Sequence, residues 1–171
     1  METQTLLTII GILVAVSIPL IIFYLGNKNK KLVYEELQNL SVVNLNKGFK
    51  DKIEINYSGK TVNNLFVSTA TIINKGRLSI KKNDIIKPIE ISFNKEVIDC
   101  NIIDVNPKGI SISLNVSPKG NSVECEFDLL NPKDNFTLQF VSLEKLGTPN
   151  IISRIEGLSK IEITSNAYQT Q

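Results

Sequence analysis

The chain has 171 residues, of which 42% are hydrophobic and 21% charged, a length that suits one globular domain with a short appendage. Its 19 Lys and Arg residues and 17 Asp and Glu residues leave a net charge of +2, and only Arg77 and Arg154 are arginines, which argues against nucleic acid as a partner. The sequence has no His, so catalytic groups that depend on an imidazole base are excluded.

A stretch of 20 residues without a charge, residues 6–25, lies near the start of the chain. At about 1.5 Å per residue, a helix of this length spans about 30 Å, the thickness of the hydrocarbon core of a bilayer. Tyr24 at its end suits the headgroup region, and Pro19 is tolerated inside a membrane helix. We therefore predict a transmembrane helix over residues 6–25, preceded by a short extracytoplasmic terminus, residues 1–5.

A cleavable signal peptide is the alternative interpretation of this segment. The residues before it carry Glu2 and no basic residue, and its apolar core exceeds the ~7–15 residues that signal peptides use. No small-x-small cleavage site follows the apolar core. These features favour a permanent anchor.

Three lysines, Lys28, Lys30 and Lys31, follow the span directly, whereas no Lys or Arg precedes it. Because basic residues are retained on the cytoplasmic side, we expect a single-pass protein of the plasma membrane with its amino terminus outside and its remaining domain in the cytoplasm. Residues 26–31 are then a basic juxtamembrane linker. In this arrangement Tyr24 and the three lysines contact membrane lipid at the interface.

A pattern of small residues lies within the span. Gly11 and Ala15 are four residues apart, and Thr8 lies on the same helix face. Small residues at this spacing let two membrane helices approach closely. Thr8, Gly11 and Ala15 are therefore the candidate helix-packing residues of a homo-oligomer.

After the span, the hydrophobic period becomes two. Apolar residues alternate with polar ones in five segments: Ile53, Ile55 and Tyr57; Ile89, Ile91 and Phe93; Ile110, Ile112, Leu114 and Val116; Val123, Cys125, Phe127 and Leu129; and Phe136, Leu138 and Phe140. Each segment is typical of a strand with one buried and one solvated face. The stretch over residues 28–40 is less distinct, and its β-prone residues place a first strand from about Leu32.

Turn sequences rich in Gly, Pro and Asn separate these segments, at residues 58–59, 74–76, 106–109, 117–120 and 131–134. The last three share a Pro-Lys core, and their spacing predicts consecutive strands of an antiparallel meander. About eight to ten short strands over residues 32–165 indicate an all-β fold, an antiparallel immunoglobulin-like β-sandwich, followed by a polar tail, residues 166–171. A small closed β-barrel is the alternative, because alternation alone does not distinguish it from two facing sheets.

Both cysteines fall at predicted core positions. Cys125 belongs to the buried register of its strand, and Cys100 shares a face with Ile98 and Ile102. A disulfide across the sandwich is conceivable, but the cytoplasmic orientation and the lack of Trp favour two reduced thiols.

Sequence motifs for catalysis or cofactor binding are missing. The chain contains no C-x-x-C pair, no phosphate-binding P-loop and no dinucleotide-binding glycine motif. Glu124, Glu126 and Asp128 point the same way on one strand and could together hold a hard cation such as calcium. We interpret them as a solvated strand face, because no calcium-loop sequence accompanies them. We therefore expect no enzyme activity, no cofactor and no metal site.

A longer pattern runs through the predicted strands. An I-x-N-x-G strand end leads to I-x-x-x-D, then to P-I-x-I-x-F, and later to an N-P-x-D-x-F turn. The matching residues are Ile72, Asn74, Gly76, Ile80, Asp84, Pro88, Ile89, Ile91, Phe93, Asn131, Pro132, Asp134 and Phe136. This pattern, over residues 53–141, resembles bacterial single-pass membrane-anchored β-sandwich proteins of immunoglobulin-like type. The resemblance rests on turn and core positions, so it implies a fold and no activity.

Two functional hypotheses follow. The first is a non-enzymatic single-pass membrane protein that presents a cytoplasmic β-sandwich as an interaction or scaffold module for a protein partner. The alternative is a membrane effector of a bacterial stress or antiphage system, whose β domain senses a ligand or oligomerises while the helix with Gly11, Ala15 and Pro19 perturbs the membrane. A domain outside the cell with an oxidised Cys100–Cys125 bridge is a third arrangement.

Overall fold

The computed structural model describes residues 2–26, 28–42, 55–57, 59–62, 64–117 and 119–165. Within these ranges one α-helix, α1 (Glu2–Gly26), precedes thirteen β-strands. The strands are β1 (Leu32–Ser41), β2 (Ile55–Tyr57), β3 (Lys60–Val62), β4 (Phe66–Asn74), β5 (Ile80–Lys81), β6 (Ile85–Ser92), β7 (Asp99–Asn106), β8 (Ile112–Val116), β9 (Ser122–Phe127), β10 (Leu129–Leu130), β11 (Asn135–Ser142), β12 (Asn150–Ile155) and β13 (Glu162–Ser165). A 3₁₀ turn, Lys82–Asp84, joins β5 to β6.

Helix α1 contains the predicted span but begins earlier than predicted, at Glu2 rather than at residue 6. The Thr8 hydroxyl donates to the carbonyl oxygen of Gln4 at 2.9 Å, so the first turn continues into the apolar stretch. The segment Thr3–Phe23 is long and apolar enough to cross a membrane, and none of it is buried inside the protein. The chain therefore joins one apolar helix of membrane-spanning length to a β domain.

Two sheets face each other as a β-sandwich, the predicted all-β fold. The first has the strand order β13-β1-β4-β11-β7 and the second has the order β12-β6-β9-β8. Their neighbouring strands are antiparallel except β1 and β13, which run parallel because the chain changes sheet between β12 and β13. Two short ribbons, β5 with β10 and β2 with β3, account for the other described strands. The described strands thus form separate sheets and not the alternative closed barrel.

The core lies between the two sheets and follows most of the predicted alternation. Phe136, Leu138 and Phe140 of β11 are all 0% exposed. Phe93 follows β6 in the opposite sheet, and its ring meets Phe140 edge to face with the centroids 5.2 Å apart. The other fully buried positions of the predicted strands are Ile89, Ile91, Val123, Cys125 and Phe127. Strand β1 begins at Leu32, as predicted, and its first residues are buried.

The prediction for Leu129 is wrong. The chain bends at Asp128, between β9 and β10, and this bend interrupts the alternation. Leu129 is consequently 37% exposed, and Leu130 is buried in its place.

The predicted meander is also wrong. Of the three Pro-Lys turns, only the one over residues 117–120 joins antiparallel neighbours, β8 and β9. The turns at residues 106–109 and 131–134 lead the chain into the other layer of the sandwich. A Pro-Lys turn reverses the chain equally well in both situations, so the motif does not specify which sheet receives the next strand. The predicted positions Ile53, Ser58, Pro118 and 166–171 lie outside the described residues.

Candidate membrane-proximal site

The segment between α1 and β1 is bound to the β-sandwich from Asn29 onward, and we call residues 28–31 the junction segment. The carbonyl oxygens of Asn29 and Lys31 accept four hydrogen bonds from the backbone N–H groups of residues 75–78, at 2.8–3.2 Å. These donors belong to the loop between β4 and β5. The residues directly before β1 are therefore held on the surface of the domain.

A glycine in that loop makes the close approach possible. A Cβ atom at Gly76 would lie 2.5 Å from the backbone nitrogen of Lys31 and 2.6 Å from the carbonyl oxygen of Asn29. Both contacts are with backbone atoms, which cannot rotate away as a flexible side chain would. Any larger residue at position 76 must push the junction segment away from the loop.

Asn74 holds the same loop from the inside. Its side chain is 0% exposed, and its Nδ2 donates to the carbonyl oxygens of Leu78 at 2.8 Å and Leu130 at 2.9 Å. Its Oδ1 accepts the N–H of Gly76 at 2.9 Å. One amide thus satisfies three buried backbone groups from two separate segments, which shapes the surface that receives the junction.

A salt bridge adds a side-chain link. The Nζ atom of Lys30 lies 3.0 Å from Oδ2 of Asp84 and donates to the carbonyl oxygen of Glu156 at 2.8 Å. The Lys30 and Asp84 side chains are only 13% and 18% exposed. Asp84 also accepts the backbone N–H of Lys81, and this bond, with that from Lys30, holds the pKa of Asp84 below its ordinary value.

The predicted membrane-interface residues have different surroundings. Lys31 forms a second salt bridge, with Glu162 at 2.9 Å, and both side chains are about two-fifths exposed. Lys28 is exposed, and Tyr24 lies within the last turns of α1. Two of the three lysines therefore bind carboxylates of the domain, and contact of the set with lipid stays a prediction.

The predicted helix-packing residues lie on one face of α1. Thr8, Gly11 and Ala15 are exposed, and no atom lies within 4 Å of a Cβ atom placed on Gly11. The face has room for a second helix. Packing against another copy stays a prediction.

The acidic row at the end of β9 is not one continuous surface. Asp128 follows the strand, and its Oδ1 accepts the backbone N–H groups of Ser111 at 3.1 Å and Leu129 at 2.7 Å. Glu124 and Glu126 remain on β9. Within the described ranges, no group of three or more His, Cys, Asp or Glu is placed to hold a metal ion.

The two cysteines are free thiols in the core, on strands of opposite sheets. Cys125 is 0% and Cys100 is 7% exposed. Burial raises the pKa of both thiols, to about 12 for Cys100, so neither supplies a thiolate at neutral pH.

Comparison of the chain with models of known protein families finds no match, and comparison with curated proteins finds none either. The junction was missed by sequence reasoning, which treated residues 26–31 as a linker. The sequence predicts the turn at residues 74–76, but it does not show that this turn contacts a segment more than 40 residues earlier in the chain. The role of the site is structural: it holds the segment that follows the helix against the sandwich.

Proposed function

We propose that this protein is a single-pass protein of the plasma membrane that presents its β-sandwich in the cytoplasm as a non-enzymatic interaction module. The observation that carries the proposal is the junction. An exposed apolar helix of membrane-spanning length continues, after a single residue, into a segment bound to the sandwich by backbone hydrogen bonds. The sequence also departs from that of a removable leader, because no basic residue precedes the apolar core and no small-x-small site follows it.

The orientation in the proposal rests on the distribution of lysines. Lys28, Lys30 and Lys31 follow the helix, and the positive-inside rule keeps such a cluster in the cytoplasm. The two reduced core thiols suit that compartment.

The non-enzymatic role is supported by the shape of the surface. Two clefts lie against β8 and β9, with volumes of about 200 and 240 Å³. The first is lined mainly by Ser111–Ser113 and Glu126–Asp128, and the second mainly by Ser113–Asn115, Glu124 and Glu126. Sites for small molecules usually enclose about 300–1,000 Å³. A folded partner or a second copy of the chain suits such a surface better than a small substrate does.

The test of anchoring and orientation uses single exposed cysteines in the full chain, expressed in a bacterial host. Thr3→Cys reports on the amino terminus and Lys145→Cys on the domain, while the native thiols are buried. A membrane-impermeant maleimide should label Thr3→Cys in intact cells and Lys145→Cys only after lysis. The reverse result would overturn the orientation, and release of the protein by alkaline carbonate would overturn the anchor.

A panel of ester, phosphate and nucleotide substrates tests the non-enzymatic role. The purified full chain in detergent should give rates equal to those of a Phe136→Ala variant, in which the core is disrupted. Hydrolysis that depends on the native fold would contradict the proposal.

The alternative effector function gains support from one feature, the junction, because the sandwich holds residues that follow α1 by only a few positions. It predicts toxic expression that is relieved by Gly11→Leu, which blocks close helix packing. Benign expression of the full chain, with and without phage, favours the interaction module.

A further inference from the structure

One end of the sandwich carries both the junction segment and a set of loops between strands. Strand β1 starts there, its antiparallel neighbour β4 ends there, and β11 starts there again. In the second sheet, β6 begins next to Asp84, the partner of Lys30. This near end consists of residues 28–31, 75–84, 106–111, 128–134 and 156–161.

The near end collects exposed lysines. Six of them form no salt bridge with the described residues: Lys28, Lys81, Lys82, Lys108, Lys133 and Lys160. The five segments of the near end contain ten Lys and Arg residues against four Asp and Glu residues, a difference of +6. A chain with a net charge of only +2 thus carries a concentrated positive surface at this end.

Two leucines accompany these lysines. Leu78 and Leu129 are each 37% exposed, Leu78 in the loop that binds the junction and Leu129 opposite Lys81 in the β5–β10 ribbon. Lysines mixed with exposed apolar side chains are typical of surfaces that lie at the boundary between headgroups and acyl chains.

The length of the connection limits how far this end can be from the helix. Lys30, which is bound to the domain, is the fourth residue after Gly26, the last residue of α1. Fully extended, the four steps from Gly26 to Lys30 span about 14 Å. The headgroup layer is itself about 5–8 Å thick, and charges interact over about 8 Å at physiological ionic strength.

We propose that the near end binds the anionic phospholipid headgroups of the membrane that holds α1, so that the sandwich rests on the bilayer instead of standing free of it. This inference depends on the proposed membrane anchor and extends it by naming the lipid class and the surface. The lysines supply the attraction to phosphate, and Leu78 and Leu129 supply the apolar contact.

The test uses the full chain reconstituted in vesicles of phosphatidylcholine alone or with about 30 mol% phosphatidylglycerol. Lys108→Cys and Lys119→Cys form a matched pair, because both positions are exposed in Pro-Lys-Gly turns and the turns lie at opposite ends of β8. Each variant carries an environment-sensitive dye, and headgroup-labelled lipid serves as the quencher.

We expect quenching at Lys108→Cys to rise about twofold or more with the anionic lipid and to return to the neutral-vesicle value in about 0.5 M salt. Quenching at Lys119→Cys should stay unchanged. Equal quenching at the two positions, or no dependence on the anionic lipid at Lys108→Cys, would overturn the docking surface.

Charge reversal provides a second arm. Adding Lys82→Glu and Lys160→Glu to the Lys108→Cys protein should abolish the effect of anionic lipid, whereas Lys119→Glu with Lys145→Glu, which changes the net charge equally, should preserve it. An unchanged effect in the first pair would count against the proposal.

Extraction with alkaline carbonate distinguishes this proposal from the proposed membrane anchor. If alkaline carbonate removes the chain from the vesicles, both the anchor and the docking surface are contradicted. If the chain is retained but its dye is not quenched, only the docking surface is contradicted.

Discussion

The ammonium group of Lys30 lies 3.0 Å from the carboxylate of Asp84 and thereby joins the segment between α1 and β1 to the start of β6 in the second sheet. The backbone of the same segment is bound to the loop after β4, in the first sheet. The junction therefore contacts both layers of the sandwich. Moving residues 29–31 away from the domain therefore requires contacts with both sheets to break.

The acid stability of the domain should depend on Asp84. Its pKa is lowered in the native state from an ordinary 3.8, so the stability that it contributes is present above that value and is lost as the pH falls through the native pKa. Asp84→Asn should lower the free energy of unfolding by about 1–2 kcal/mol at neutral pH, with the deficit shrinking in strong acid. Urea unfolding at pH 7 and pH 2 measures both values, and an equal deficit at the two would contradict the assignment. Glu144→Gln, in an exposed pair with Lys95, is the control and should change little.

Asn74→Ala should cost about 3 kcal/mol, because it leaves the backbone groups of Gly76, Leu78 and Leu130 without their buried partner. The measurement is urea unfolding of the full chain in detergent. Asn115→Ala, at an exposed position of β8, should cost less than about 0.5 kcal/mol. Similar losses for the two variants would show that the Asn74 amide has no special role.

Gly76→Ala should separate the junction from the loop, since the added Cβ meets backbone atoms of Lys31 and Asn29. We expect hydrogen exchange at residues 75–78 to accelerate at least about tenfold, and stability to fall by about 1–3 kcal/mol. Gly147→Ala is the control, because its nearest neighbour, Oδ1 of Asn94, is 3.8 Å away. Unaltered exchange in Gly76→Ala would refute the tight contact.

Phe136→Ala should destabilise the domain by about 3–5 kcal/mol, because this fully buried ring packs beside Phe127 at the centre of the core. Thermal unfolding followed by circular dichroism reports the loss. Ile152→Ala, which removes a side chain that is 44% exposed on β12, should cost less than about 1 kcal/mol. A small effect at Phe136 would place the core elsewhere.

Cys100 and Cys125 should resist alkylation in the native protein. Burial removes both thiols from solvent and raises their pKa values, so at mildly alkaline pH iodoacetamide should modify them at least about a hundredfold more slowly than in urea. Mass spectrometry of the full chain counts the modified thiols. Rapid modification of Cys125 without denaturant would show that β9 is accessible.

Much of the fold could be predicted because its signals are local. Helix α1 and the buried positions Phe136, Leu138 and Phe140 follow from hydrophobicity and its period. The start of β1 at Leu32 follows from β propensity. The prediction failed where the period was interrupted. Because the chain bends at Asp128, Leu130 is buried in the core and Leu129 is not, and no residue pattern in the sequence predicted this bend.

The contacts of the candidate site were hardly predictable, although several of its residues had been singled out in the sequence. Lys30 and Lys31 read as a flank of the membrane helix, and their partners Asp84 and Glu162 lie more than 50 and 130 residues further along the chain. Asn74 read as a turn residue, whereas its role comes from being fully buried beside Leu130.

The chain's composition and periodicity are sufficient for a membrane-length helix and an all-β domain, because hydrophobicity and its period can be read within each short segment. The way in which helix and domain are fastened, and the gathering of Lys82, Lys108, Lys133 and Lys160 at one end, follow from which strands pair and in which direction they run. Strand pairing brings together residues that are distant in sequence, and the free energy of such contacts exists only once the chain has folded.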